Sequence, residues 1–254
     1  MKKPIYLSIV GLSALFLISC NQINQPKSSE SENVTEAKIE SVMTKEMQEG
    51  LTPDAVLQDL MEGNQRYVSG EMQNRDLPAQ VAATTDGQFP KAVILACIDS
   101  RVPVEYIFDQ GVGDIFVARV AGNIEDEELL GSMEYGVGVA GSKLIMVLGH
   151  ENCGAVKSAI NQVDVGSENV DALLSHLEQA IQEIPGDRDA KNKAYFNDVI
   201  KNNVNQTVED IRNRSDIIRT LEEEGKVKVV GAYYSLTDGK VTILEEGAHH
   251  GHEH

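Results

Sequence analysis

Cysteine is scarce in this sequence. It occurs three times in 254 residues, tryptophan is absent, and aromatic side chains make up only 5%. No two cysteines are spaced as Cys-x-x-Cys, which excludes a thioredoxin-like dithiol pair. Basic residues are also in short supply, 22 Lys and Arg against 40 Asp and Glu, for a net charge of −18. Nucleic-acid binding needs clustered cations on phosphates, so this balance excludes a nucleic-acid partner. Beyond that, acidity speaks for solubility and names no substrate. Long apolar runs are missing too. The longest, near the amino terminus, has about fifteen residues, fewer than the roughly twenty a spanning helix needs. No internal repeat is visible.

That apolar run has a meaning of its own. In MKKPIYLSIVGLSALFLISC, Lys2 and Lys3 precede it and Cys20 ends it, the pattern of a secretory signal. Leu17-Ile18-Ser19-Cys20 resembles the bacterial lipobox, in which cleavage falls before the cysteine and the cysteine takes the lipid. On this reading residues 1–19 are a lipoprotein signal peptide and Cys20 is the lipidation site. The protein is then exported and membrane-anchored, on the periplasmic or cell-surface side. An ordinary signal peptide or an uncleaved anchor is the alternative. The next stretch, up to residue 50, is polar and rich in Ser, Asn, Gln and Glu. It has too little apolar surface to offset its ordering entropy, and reads as a flexible tether over 20–50, helical only near its end. Residues 51–247 form the domain, about 200 residues and enough for one well-buried core. The tail, 248–254, carries four of the six histidines. It reads as a solvated end with at most a weak metal-gathering role.

Within the domain, Thr52-Pro53 supplies an N-cap and an N1 proline, and Gly70 a stop, for a helix between them. Residues 71–90 look like loop. Apolar runs at 91–97, 114–123 and 143–150 read as strands. Helices are expected at 103–111, 127–140, from 153, at 168–184, and at 191–224 with a break near Ser215. Gly131, Gly136 and Gly138 mark the second of these as a place of close helix contact. Strands at 226–236 and 240–246, joined through Thr237-Asp238-Gly239, make a hairpin. Alternating strands and helices, with early strands continuously apolar, predict an α/β fold. Its central sheet is mostly parallel and flanked by helices, with an antiparallel strand at the edge.

Sites on such sheets lie at the carboxyl ends of the strands. Cys97 ends the first strand, His150 ends the third, and Cys153 follows three residues later at the start of a helix. Two thiolates and one imidazole give three zinc ligands and leave a fourth tetrahedral position open, as catalytic zinc sites do. His176, the other histidine of the domain, sits in LLSHLEQA with no motif around it. Asp99 and Arg101 follow Cys97 at i+2 and i+4. An Asp beside zinc would coordinate it, and an Arg able to grip a carboxylate with two hydrogen bonds can hold it away. A surface ion pair of little consequence is the plainer reading. For the cysteines, the plainer reading in an exported protein is a Cys97–Cys153 disulfide.

Cys97-Ile98-Asp99-Ser100-Arg101 together with His150-Glu151-Asn152-Cys153-Gly154 resembles the two signatures of β-class carbonic anhydrases, Cys-x-Asp-x-Arg and His-x-x-Cys-Gly. GDIFVARVAGN, 113–123, is similar to the family's intervening segment, with Val120 where an Asn often stands. The resemblance runs over roughly residues 53–246. It implies one Zn²⁺ per chain on Cys97, His150 and Cys153, with Asp99 and Arg101 as the dyad that hydrogen-bonds the water on the metal. It implies Gln88 and Gly154 as contacts to bicarbonate, Gln88 often from the partner subunit, and a homodimer or dimer of dimers. One branch of the family has a bicarbonate-operated switch built on Trp, Arg and Tyr. With no tryptophan, this chain does not supply that pocket. The implied activity is reversible hydration of CO₂ to bicarbonate and a proton, since zinc brings the acidity of its water toward neutrality. No internal histidine shuttle for the proton is evident. Hydrolysis of a CO₂-like molecule (COS or CS₂), a non-enzymatic zinc-binding lipoprotein, and a disulfide-stapled binding module are the alternatives.

Overall fold

The computed structural model describes residues 39–245. The expected signal peptide, Cys20, the first part of the expected tether and the histidine-rich tail lie outside the described residues. Five strands form one sheet: β1 (Ala92–Ala96), β2 (Ile115–Arg119), β3 (Leu144–His150), β4 (Lys228–Tyr234) and β5 (Val241–Ile243). Their order is β2-β1-β3-β4-β5. The first three pairings are parallel and β4–β5 is antiparallel, as the sequence predicts.

The sheet is covered on both faces because its central strands are continuously apolar up to His150 at the end of β3. Ala92, Ile94, Ala96, Leu144, Met146 and Leu148 point to one face, toward Val56 and Leu60 of helix α2 (Pro53–Ser69). Val93, Leu95, Ile145 and Val147 point to the other. There they meet Leu130 and Met133 of α5 (Glu127–Gly138) and Val204, Val208 and Ile211 of α9 (Lys193–Arg214). The period of two splits the same strands between two cores. Helix α2 starts where Thr52 Oγ1 accepts from the Ala55 N–H at 3.2 Å, and ends at Gly70, whose φ of 76° is left-handed. Ser215 ends α9 and caps α10 (Asp216–Glu223), accepting from the Ile218 N–H. That is the expected break. The remaining helices are α1 (Lys45–Glu49), α3 (Leu77–Ala83), α4 (Val104–Ile107), α6 (Gly154–Ile160), α7 (Glu168–Ser175) and α8 (Glu178–Gln182).

Three expectations need correction. The tether does not extend to residue 50. The Ile39 N–H donates to Asn74 O at 2.7 Å, and Gln48, 4% exposed, donates to the carbonyls of Pro90 and Ala140. A polar composition conceals this, because what fixes the segment is hydrogen bonding of buried polar groups. Residues 71–90 are not all loop: Asp76 caps α3, whose first turn holds Pro78. The helix read over 168–184 is two, α7 and α8, separated near His176.

Of the three glycines in α5, one is a close contact. A Cβ at Gly136 would lie 2.4 Å from Val93 Cγ2, whereas one at Gly131 would meet nothing within 4 Å. Alanine at either position gains about 1 kcal/mol of helix propensity. At Gly136 it also forces itself against a buried β-branched side chain, an overpacking that costs about 1–3 kcal/mol. We therefore expect Gly131→Ala to raise the urea midpoint and Gly136→Ala to lower it.

Candidate metal centre

Parallel register assembles the centre. Ala96 on β1 pairs with Leu148 on β3, so Cys97 leaves the first strand level with the residue before His150. Asn152 then takes φ = 55°, a left-handed conformation that Asn tolerates, and the chain turns so that Cys153 opens α6. Cys97, His150 and Cys153 are all buried, and their ligand atoms lie within 4.8 Å of one another. Among the described residues no other group of His, Cys, Asp and Glu does this. Both thiols are free, so the disulfide reading is not what the structure shows.

His150 is oriented for a metal. Its Nδ1 lies 2.9 Å from Glu151 O, and a carbonyl only accepts, so Nδ1 carries the proton and Nε2 the lone pair. Nε2 is buried with no hydrogen-bond partner. An orphaned buried acceptor beside two thiols suits a soft-to-borderline cation, and zinc fits this donor set. The neighbouring Cys153 and backbone N–H groups lower the Cys97 pKa, while Cys97 together with burial raises that of Cys153. A cation binds the thiolate forms and releases their protons.

Asp99 sits on the arginine. Its Oδ1 accepts from Arg101 N and Nε, both at 2.9 Å, and its Oδ2 accepts from the guanidinium at 2.7 Å. Those bonds hold the Asp99 carboxyl well below the usual carboxylate range. Oδ2 is also 3.9 Å from His150 Nε2, so the carboxylate faces the ligand cluster without occupying it. The pair is therefore more than a surface bridge: it borders the metal ligands, and the Asp99 side chain is only 15% exposed.

The other expected residues divide. Gly154 follows Cys153 directly at the start of α6, in open space where a Cβ would meet nothing within 4 Å. Gln88 is exposed and precedes β1, at the opposite end of that strand from Cys97. Within one chain it is not brought to the ligand cluster. His176 is exposed and is not among the ligands.

Sequence reasoning missed the groups that brace the ligands. Arg119, at the end of β2, donates to Cys97 O at 2.9 Å and Asp99 O at 2.6 Å. The Gly122 N–H points at Cys97 Sγ, 3.4 Å away. Thr237, in the hairpin turn, donates from N and Oγ1 to the Glu151 carboxylate. This pins the residue whose carbonyl orients His150. Only the small-residue loop after β2 hinted at any of this.

A carbonic anhydrase family model matches residues 92–241. A carbonic anhydrase of Mycobacterium tuberculosis is 37% identical over 206 residues, 79% of this chain and 97% of its own. Another, from Mycolicibacterium smegmatis, is 37% identical over 195 residues, 75% of this chain and 93% of its own. A solved structure of a tetrameric β-carbonic anhydrase from Sordaria macrospora is similar with a TM-score of 0.59 at 25% identity. It covers 66% of this chain and 86% of its own. With three metal-ligand side chains at the carboxyl end of a sheet of this order and a family match over most of the domain, the chain belongs to the β-carbonic anhydrases.

Proposed function

We propose that this protein catalyses the reversible hydration of CO₂ to bicarbonate and a proton, with one zinc per chain held by Cys97 Sγ, His150 Nε2 and Cys153 Sγ. The observation that carries this is the convergence of those three atoms within 4.8 Å, bordered by a carboxylate that Arg101 holds off the cluster. Zinc supplies Lewis acidity, which makes water nucleophilic near neutral pH. The chain's own residues supply the rest. Glu151 O fixes the His150 tautomer. Arg101 uses three hydrogen bonds to keep Asp99 ionised and turned away from coordination. Asp99, ionised throughout the neutral range, can only accept a hydrogen bond, so it takes one from a water at the cluster and aims a lone pair of that water at CO₂. Gly154 N–H and, from a second copy, Gln88 contact bicarbonate on this reading. The placement of Gln88 at the far end of β1 favours the second copy as its source.

A homodimer or a dimer of dimers belongs to the same proposal, supported by the tetrameric Sordaria relative. So does anchoring on the outer side of a membrane through lipid on Cys20, supported by the signal pattern alone. The test is stopped-flow CO₂ hydration with zinc content measured on the same preparation. About one zinc per chain and a rate that a chelator abolishes are expected. Full CO₂ hydration by zinc-free protein, or zinc-loaded protein without it, would overturn the reading.

A further inference from the structure

The Gly122 N–H reaches Cys97 Sγ from a turn that other groups brace. Gly122 lies in a short turn, Ala121–Asn123, between β2 and α5, at a φ of 80°. Such a glycine is conformationally free unless something fixes its peptides. Two bonds fix the peptide that follows it: locally the Asn123 N–H donates to Val120 O at 3.0 Å, and from 81 residues away Asn203 Nδ2 donates to Gly122 O at 2.8 Å. Asn203 is 2% exposed, in the middle of α9. The helix is held close to the sheet there, since a Cβ at Gly149, the residue before His150, would lie 2.4 Å from Val204 Cγ2. One buried amide thus ties α9 to the loop that donates to a metal-ligand sulfur.

We propose that Asn203 is a positioning residue for the metal centre. Acting through Gly122, it holds an N–H on Cys97 Sγ and so sets the charge this sulfur shares with the metal and the tightness of binding. The inference rests on the zinc reading above. Two thiolates donate more charge than a pair of imidazoles would. An N–H on one sulfur withdraws part of it, and the sulfur is aimed before the metal arrives. A buried Asn satisfied by any available carbonyl is the plainer role, and the same helix provides the control. Asn202, 9% exposed, donates to Ala180 O and to Glu183, with no bond to the ligand loop.

The experiment uses the purified full chain, loaded with zinc for affinity and with cobalt for spectroscopy. Asn203→Leu is expected to weaken zinc in a chelator competition by about 10–100-fold, the usual cost of losing such a partner. It should also move the sulfur-to-cobalt charge-transfer band to longer wavelength, because the sulfur becomes more electron-rich. Asn202→Leu should lower the melting temperature and change neither. Asn203→Asp keeps the size and loses the donor, and it decides the question if the Leu variant does not fold. Should the Asn203 variants lose only stability, with zinc affinity and band as in the wild type, the inference fails while the zinc reading stands. A wild-type chain that takes up neither metal sinks both.

Discussion

Asp99→Asn is expected to keep about one zinc per chain and to hydrate CO₂ at least ~100-fold more slowly, the usual weight of a well-placed proton-handling group. The substitution is nearly isosteric, so the loop from Cys97 to Arg101 keeps its shape. The chemistry changes sharply. Asp99 offers two acceptor oxygens, all of whose present partners are Arg101 donors. Asn offers one acceptor and one donor group. With its oxygen at the Oδ1 position, its NH₂ stands where Oδ2 faces both the ligand cluster and an arginine donor, and it cannot accept from a water there. Reversed, the NH₂ meets two Arg101 donors and the grip is lost. Zinc retention follows because none of the three ligands changes. Stopped-flow rates beside metal analysis decide the matter. A zinc-loaded Asn variant with wild-type activity would remove Asp99 from the reaction. The sign of the pH effect is fixed as well. Arg101 depresses the folded-state pKa of Asp99, so the charged dyad is complete above the ordinary carboxylate range and is lost only below it. A fall in wild-type activity between pH 8 and 6 is then not protonation of Asp99.

The ligands are readable in the sequence because their chemistry is local. A thiol at the end of an apolar strand and a His-x-x-Cys at the end of another require only the rule that α/β sites gather at carboxyl strand ends. The mostly parallel sheet and its antiparallel last strand are readable in outline from continuous apolar runs and a turn tripeptide. The braces are not. Arg119 and Asn203 act through backbone carbonyls 20 or more residues away, and any side chain with donors fits that description until a fold brings it near. The segment 39–50 misleads for a related reason. Gln48 looks like one more polar residue of a tether, yet it is buried because two carbonyls at the amino end of the sheet need a donor. Gln88 shows a further limit. Its spacing from Cys97 suggests a contact to bicarbonate, but spacing along the chain is not distance, and Gln88 precedes β1 at the end of the strand away from Cys97.

Cys153→Ser should be the most damaging single change to the centre. Serine is close in size but does not ionise near neutral pH, so the third ligand becomes a neutral hydroxyl where zinc calls for a thiolate. We expect zinc to fall well below one per chain after dialysis and CO₂ hydration to fall to background. Cys153 is 0% exposed and packs among Val156, Ile160, Leu177 and Val199, so some stability is lost with it. That loss must be separated from the metal effect. Unfolding curves with and without added zinc do this. Metal that binds only the folded state stabilises by mass action, so the wild type should gain stability on adding zinc and the variant should gain little or none. A disulfide-stapled module predicts the reverse pattern: no zinc response in the wild type, and a large loss of stability in the wild type on reduction. Two free thiols beside an orphaned imidazole nitrogen favour the first outcome. A Cys153→Ser chain that still holds one zinc and still hydrates CO₂ would mean the third ligand comes from elsewhere, and no other ligand cluster exists among the described residues.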